Sequence, residues 1–284
     1  MKRAFILIAA LAATSAISAS AAEEESAFRQ AAKFGFTQSA VQGGVIVADA
    51  PAGTVSLSFD GRAVPLDRDG KFIIAFNRDA GQAAQLVARL ADGSEVKKFI
   101  SVAPRAWKIE HVNIAQRSGG PSEAFMALRA PELAQINAAR AVSHSSDGWR
   151  QTFIWPAKGR ISGQFGSQRV YKGEPGSFHS GVDIATPGGS GDYFVAPADG
   201  VVTLAADRPF TLEGNLLMID HGMGLNSAFL HSSQLLVKAG DLVKRGQPIG
   251  RIGMTGRATG PHLHWSMKWN DARIDPQLLV GPMD

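Results

Sequence analysis

The chain has 284 residues, of which 45% are hydrophobic and 19% charged, a balance that predicts folded domains rather than a disordered chain. It contains no cysteine, so disulfide frameworks, cysteine nucleophiles and thiolate metal sites are excluded. Lysine and arginine exceed aspartate and glutamate by 29 − 25 = 4, too small a surplus to indicate nucleic-acid binding. The 31 glycines and 14 prolines indicate a turn-rich, mainly β protein.

Residues 1–21 have the pattern of a secretory signal peptide. Lys2 and Arg3 precede an apolar run at 4–13, and the small residues at 19–21 form a cleavage site. A helix that spans a bilayer needs about 20 apolar residues, so this run is too short for a permanent anchor. We therefore expect export across the inner membrane to the periplasm or cell envelope, with no stable membrane insertion after the signal peptide is removed.

Residues 43–103, after a polar lead-in at 22–42, have the pattern of a small antiparallel β domain. Val55, Leu57 and Phe59 alternate with serines, which predicts a half-buried strand. Asp-Gly pairs between the apolar runs are typical of hairpin turns. We expect an immunoglobulin-like β-sandwich that acts as a spacer, since it contains no histidine. The other predicted strands of this domain are 45–47, 72–76, 85–90 and 96–100.

Residues 104–148 are predicted to be a linker with one helix. A cluster of helix-breaking residues at 118–122 precedes an alanine-rich run at 131–142. Proline is favoured at the first position of a helix, so we predict a helix that begins at Pro131 and rests on a neighbouring domain. Residues 149–284 are predicted to form a second β domain, with strands within 195–204, 216–219, 227–230, 248–252 and 262–267.

Five of the seven histidines lie between residues 179 and 264. His179 and Asp183 flank Gly181, where a kinked strand would let both side chains converge. His262 and His264 are two residues apart on a predicted strand, so their imidazoles face the same side. Taken singly, each of these pairs is also typical of ordinary loop or surface residues. His231 follows the apolar run 228–230, and a single histidine at such a position is more often structural than catalytic.

Taken together, these motifs resemble the lysostaphin/LytM-type zinc metallopeptidases, which cut peptide cross-links in bacterial cell walls. That family carries a His-x-x-x-Asp motif, a later single histidine after an apolar strand, and a His-x-His motif, in this order. The flanking residues 178–185, 196–202 and 250–264 match as well. The resemblance covers about residues 150–280 and implies an antiparallel β-sheet domain of the duplicated hybrid motif fold, with an open groove.

The resemblance also implies the roles of the site residues. His179, Asp183 and His264 would hold one zinc ion per chain, with a fourth position open for water. His231 and His262 would flank that position as catalytic residues, one as the general base and one as a stabiliser of the developing charge. Which histidine has which role stays open. The implied substrate is peptidoglycan, whose stem-peptide amide bonds would be hydrolysed by metal-activated water.

Two loops are expected to form the rim of the groove. They are residues 167–178 and 205–215, and their aromatic residues Tyr171 and Phe210 are candidates for exposed substrate contacts. The length of the linker at 104–148 and the family's latent forms also predict autoinhibition by the N-terminal domain or by this linker. In that state Asn113 or Asn137 would occupy the open zinc position.

Two alternative functions fit parts of the sequence. Relatives that lose their zinc ligands are binding modules that activate other wall hydrolases, but here all five key positions are filled. Residues 241–250 resemble the hammerhead of biotin- and lipoyl-carrying domains, which need a lysine at a hairpin tip. Neither Lys238 nor Lys244 has that setting, so the enzyme is the favoured interpretation.

Overall fold

The computed structural model describes residues 33–37, 39–115 and 120–283, and this part is mainly β with one long helix. The predicted signal peptide and residues 22–32 of the lead-in lie outside the described residues. Within the described ranges, no helix is both long enough and apolar enough to cross a bilayer. The described residues divide into two compact units: unit 1 is 33–37, Ala48–Phe72 and Ala84–Ile100, and unit 2 is 39–47, Ile73–Ala83, 101–115 and 120–283.

Seven strands precede residue 104 in the described part of the chain. They are β1 Ala40–Val41, β2 Val45–Asp49, β3 Thr54–Phe59, β4 Arg62–Val64, β5 Lys71–Ala75, β6 Ala83–Leu90 and β7 Glu95–Ala103. Five of them form a sheet in the order β1-β7-β6-β3-β4, and β2 pairs with β5. All five strands predicted for residues 43–103 are therefore present, while the immunoglobulin-like sandwich stays a prediction.

The β3–β4 hairpin shows how the sequence determines this sheet. Asp60 and Gly61 both have positive φ, 48° and 78°, as a two-residue hairpin turn with the right twist requires. Leu57 is buried, as the alternation predicted, but Val55 is 63% exposed. The apolar side of β3 is thus buried over a shorter stretch than the sequence pattern indicates.

Unit 2 contains the remaining described strands and the helix. The strands are β8 Ile109–Val112, β9 Arg160–Gly163, β10 Gln168–Tyr171, β11 Glu174–Phe178, β12 Val182–Ala185, β13 Tyr193–Val195, β14 Gly200–Ala205, β15 Asn215–Asp220, β16 Leu225–Ser232, β17 Gln234–Leu235, β18 Leu242–Val243, β19 Pro248–Arg251, β20 Leu263–Trp269 and β21 Ala272–Ile274. Strands β8 and β10 pair in parallel, and β11 extends this pair into a three-stranded sheet. The main sheet has the order β18-β14-β15-β16-β20-β12-β9, with β21 on β20, and a third sheet has the order β13-β19-β17. The predicted boundaries at 43–103, 104–148 and 149–284 stay predictions.

The core of unit 2 lies along the central strands of the main sheet. Phe229 on β16 and Trp265 on β20 are fully buried opposite each other, and Phe194 stacks on Phe229 with ring centroids 5.4 Å apart. Burial of a large apolar side chain stabilises a fold by roughly 1.5–3 kcal/mol. This packing fixes the strands that carry the histidines.

Helix α1 spans Glu123–Ala141, so the prediction of a helix that begins at Pro131 was wrong. The helix begins eight residues earlier, where the Ser122 hydroxyl accepts a hydrogen bond from the Phe125 N–H and caps the first turn. Pro131 lies inside the helix. Tertiary packing outweighs the helix-breaking tendency of Pro131, because buried Ile136 and Ala139 join a core cluster with Phe210, Leu216, Met218 and Ala228.

Candidate metal centre

Three predicted ligands meet at one point of unit 2. His179 precedes β12, Asp183 lies on β12, and His264 lies opposite Asp183 on the neighbouring antiparallel strand β20. The His179 Nε2 atom is 3.1 Å from Asp183 Oδ1 and 3.1 Å from His264 Nδ1. The third side of the triangle, His264 Nδ1 to Asp183 Oδ1, is 2.8 Å. Directly opposed residues of antiparallel strands place their side chains on one face, which explains the third contact.

The triangle of donor atoms fits a small divalent cation. A tetrahedral zinc with bonds of about 2.0–2.1 Å has ligand atoms about 3.3 Å apart, close to the three distances observed. Two imidazole nitrogens and one carboxylate oxygen are also ligand types that zinc prefers. Among the described residues, this is the group of histidine and acidic side chains close enough to hold a metal.

Main-chain carbonyls determine the protonation of three imidazoles. His179 Nδ1 lies 3.1 Å from the Gln164 carbonyl oxygen. His231 Nδ1 is 2.8 Å from the Thr255 carbonyl, and His262 Nδ1 is 2.8 Å from the carbonyl of residue 260. A carbonyl oxygen only accepts hydrogen bonds, so each Nδ1 must carry the proton. In the neutral ring Nε2 then keeps its lone pair, ready for a metal or a proton.

The two predicted catalytic histidines lie beside the triangle. The rings of His231 and His262 have centroids 4.9 Å apart, and the His231 ring is 6.3 Å from that of His264. His262 Nε2 is 3.7 Å from Asp183 Oδ1. The structure thus brings all five predicted site residues together, while their roles as ligands or catalytic groups stay predictions.

Burial and one negative charge control the ionisation of the ligand triangle. Burial alone would raise the pKa of Asp183, but hydrogen bonds with His179 and His264 hold that pKa well below its usual range. Burial would lower the pKa of His179, but the Asp183 carboxylate outweighs it and raises this pKa. Burial dominates at His264 and lowers its pKa. Asp183 is therefore a carboxylate at neutral pH, as a metal ligand must be.

His221 is a fully buried histidine outside the group of five site residues. Its Nδ1 lies 2.8 Å from the Asp199 carbonyl and its Nε2 lies 2.8 Å from the Ser227 hydroxyl. Burial lowers the pKa of His221 to about 4, so the ring is neutral at pH 7. Its contacts are structural, since both ring nitrogens bond within the fold.

A groove of about 720 Å³ leads to the ligand triangle. The predicted rim loop at 167–178 is the β10–β11 hairpin, and Tyr171 lines the groove as predicted. Phe210 is 1% exposed and belongs to the core cluster beneath α1, so the expectation of an exposed contact there was wrong. Other lining residues are Lys108, Glu110, Gln164, Arg169, His179, Asp183 and Arg257.

The predicted linker at 104–148 contributes a wall of this groove, which the sequence pattern did not predict. Strand β8 pairs in parallel with β10, and Glu110 on β8 accepts a hydrogen bond of 2.8 Å from Arg169. No regular alternation in 109–112 would have indicated a strand, because the pairing depends on residues about sixty positions away. Asn113 and Asn137 are both exposed, and the predicted autoinhibition stays a prediction.

Comparison with known proteins identifies the domain that carries the site. The profile described as Peptidase family M23 matches residues 177–276, which include all five site residues. Residues 177–276 form an M23 peptidase domain. The M23 domain is the lysostaphin/LytM-type domain that the motifs indicated.

Two curated relatives share part of the chain. The peptidoglycan DD-endopeptidase ShyA of Vibrio cholerae is 41% identical over 118 residues, which are 41% of this chain and 26% of ShyA. The DD-carboxypeptidase/endopeptidase Mpg of Neisseria meningitidis is 36% identical over 123 residues, 43% of this chain and 27% of Mpg. This chain thus covers about a quarter of the length of these relatives.

One solved structure is similar over most of the chain. A Pseudomonas aeruginosa protein assigned to peptidase family M23 is 27% identical, with a TM-score of 0.63. The similarity covers 86% of this chain and 96% of that protein. It extends well beyond the 177–276 segment, so the likeness in fold is not confined to the M23 domain.

Proposed function

We propose that this protein is an exported zinc metallo-endopeptidase that hydrolyses stem-peptide amide bonds in peptidoglycan cross-links. The observation that carries the proposal is the approach of three ligand atoms to within 3.1 Å of one another beside two further imidazoles. The named activity of relatives such as ShyA supports peptidoglycan as the substrate. The signal-peptide pattern of residues 1–21 supports a location in the periplasm or cell envelope.

His179, Asp183 and His264 would hold one zinc ion, with a single negative charge in the ligand set. When bound, zinc supplies Lewis acidity, which polarises a peptide carbonyl and makes a water molecule acidic near neutral pH. A ligand set with only one carboxylate leaves the site with net positive charge, and this favours the developing oxyanion.

His231 and His262 would move protons and stabilise charge. Burial lowers the pKa of His231, so its ring is neutral at pH 7 and its Nε2 can accept a proton from the attacking water. The resulting imidazolium can deliver that proton to the leaving amine. His262 would orient the water, because its Nε2 lies close to the ligand triangle and can accept a hydrogen bond from that water. To stabilise the carbonyl oxygen, the same Nε2 would have to carry a proton and donate it in a hydrogen bond.

The groove is suited to an extended peptide. A Cβ at position 163 would overlap the Asp183 carboxylate, so Gly163 leaves room for close approach to the ligand triangle. The groove wall also carries the cations Lys108, Arg169 and Arg257. Stem peptides have free carboxylates, which these side chains would attract from solution.

The experiment measures metal content and bond cleavage together. Purified mature protein should bind about one equivalent of zinc and release fragments from peptidoglycan of known cross-link type, identified by mass spectrometry. His264→Ala should lose both properties, because it removes one of three ligands. Stoichiometric zinc without any cleavage would instead favour a wall-binding module, and a protein that binds no zinc would refute the proposal.

A further inference from the structure

His231 has a backbone conformation that needs external support. Its φ is +67°, in the left-handed region that non-glycine residues rarely adopt. Its main-chain N–H donates to the Glu213 carbonyl at 2.8 Å, its Nδ1–H donates to the Thr255 carbonyl at 2.8 Å, and its own carbonyl accepts from the Thr255 N–H at 3.3 Å. The position of the His231 imidazole therefore depends on where the Glu213 and Thr255 carbonyls are held.

The side chain of Glu213 is held by helix α1. Its two carboxylate oxygens accept hydrogen bonds of 2.6 Å each from the two terminal nitrogens of Arg129. Such a two-point pair fixes orientation as well as distance. Arg129 is 8% exposed, and the pair raises the pKa of its guanidinium through the hydrogen bond to Glu213. The Glu213 carboxylate thus has little freedom to move.

A second acidic residue of the helix fixes the same turn. Glu132 pairs with Arg129 at 3.0 Å, and it accepts hydrogen bonds of 2.7 Å from both the N–H and the hydroxyl of Thr211. The turn itself is closed by reciprocal main-chain bonds between Phe210 and Gly214. The polar residues of α1 therefore bond to both ends of the segment that supplies the acceptor for His231.

The need to hold α1 on the sheet does not explain the charged network of Arg129, Glu132 and Glu213. The apolar residues Ile136 and Ala139 already pack α1 onto the sheet. Arg129 and Glu132 are buried and Glu213 is partly buried, and taking such charged side chains out of water costs desolvation free energy that apolar contacts would avoid. The charged network differs from the apolar contacts in its target: among the cluster residues only Phe210 belongs to the 210–214 turn, whereas the network bonds to Thr211 and to Glu213, whose carbonyl accepts from His231.

We propose that Arg129 is a positioning residue for His231, so that a helix outside the M23 domain forms part of its catalytic machinery. By fixing Glu213, Arg129 fixes the carbonyl that holds the strained backbone of His231. This inference rests on the proposed function for its effect on rate, but the coupling of Arg129 to His231 can be measured without substrate.

The first experiment compares two changes in the same helix. Arg129→Gln removes the two-point pair, and Ile136→Ala removes apolar packing without touching Glu213. For Arg129→Gln we expect kcat on peptidoglycan to fall about 10- to 100-fold, with KM within about two-fold and zinc content unchanged, since general-base catalysis is lost while binding is not. Arg129→Lys should restore part of kcat. Ile136→Ala should destabilise the fold but lower kcat less than about three-fold.

The second experiment measures amide hydrogen exchange by NMR in the same proteins without substrate. In Arg129→Gln the His231 amide should exchange about ten-fold faster or more, while the amide of Ala228, in the middle of β16, should not change. Unaltered exchange at His231, or equal losses of kcat in Arg129→Gln and Ile136→Ala, would overturn the proposal. If the wild-type protein cleaves no peptidoglycan but the His231 amide responds as expected, the proposed function fails and the positioning role stands.

Discussion

The two compact units differ in what they bury. Among the described residues of unit 1, every buried side chain is apolar, and charges pair at the surface, as Lys71 and Asp49 do. In unit 2 the buried set includes eleven polar or charged side chains: Arg78, Arg129, Glu132, Asp220, His221, Asn226, Ser227, His231, Ser232, His264 and Asp275. Because a buried polar group is costly unless it is bonded, its presence marks where the fold holds groups for a purpose beyond packing.

The difference concerns chemistry rather than sheet architecture. Both units contain antiparallel strands and positive-φ glycine turns. The buried side chains of unit 1 are apolar, whereas the central strands of unit 2 carry both an apolar core and a face with titratable side chains. Substitutions of polar residues should therefore have large effects in unit 2 and small effects in unit 1.

The largest effect on hydrolysis is expected from substitutions in and beside the ligand triangle. Asp183→Asn removes the single negative charge, so zinc affinity should fall and hydrolysis should drop on the order of 10³-fold or more. His262→Ala should lower hydrolysis about 10²- to 10⁴-fold while zinc stays bound, because the ring is not among the three ligands. Zinc content and fragment release measured on both variants check this distinction. Loss of zinc from His262→Ala would mean that the ligand set is assigned wrongly.

A medium effect is expected from His221, which should make the free energy of unfolding depend on pH. The folded pKa of about 4 lies below the unfolded value of 6.5, so the unfolded state takes up the proton first as pH falls. The stability from the neutral ring is fully present above pH 6.5 and is lost toward pH 4, by about 2 to 3 kcal/mol at pH 4.5. Urea unfolding at pH 7.5 and 4.5 should show a larger loss for wild type than for His221→Gln. Equal losses in the two proteins would contradict the assignment.

The smallest effect is expected in unit 1. Lys71→Met breaks the pair with Asp49, whose two side chains are 37% and 55% exposed. An exposed ion pair contributes about 0–1 kcal/mol, so the free energy of unfolding should change by less than about 1 kcal/mol, with hydrolysis unchanged. Denaturant titration and the peptidoglycan assay measure the two quantities. A large loss of activity would show that the units are not separable in this way.

The sequence predicted the parts of the molecule that depend on local patterns. Apolar runs and Asp-Gly turns identified five of the seven strands before residue 104. The spacing of two residues placed His262 and His264 close together at the start of β20, although His262 lies just before the strand. The predicted helix start was wrong, because it was based on Pro131 as the first residue, whereas Ser122 is the N-cap. Local patterns specify strands and turns well because the forces that favour them act over a few residues.

The missing parts of the site depend on contacts between distant segments. Arg129 and Glu213 are 84 positions apart, and each alone has the pattern of an ordinary surface charge. Strand β8 becomes a wall of the groove only through its pairing with β10. A single sequence contains no signal for such pairings, so residues 104–148, which include β8, were predicted to be only a linker with one helix.

The left-handed backbone at His231 has a consequence for how the protein could evolve. Glycine would relieve this conformation, which costs a side-chain-bearing residue about 1–2 kcal/mol, but glycine has no imidazole. His231→Gly should therefore yield a protein more heat-resistant than His231→Ala. At this position selection for thermal robustness and selection for turnover would act in opposite directions.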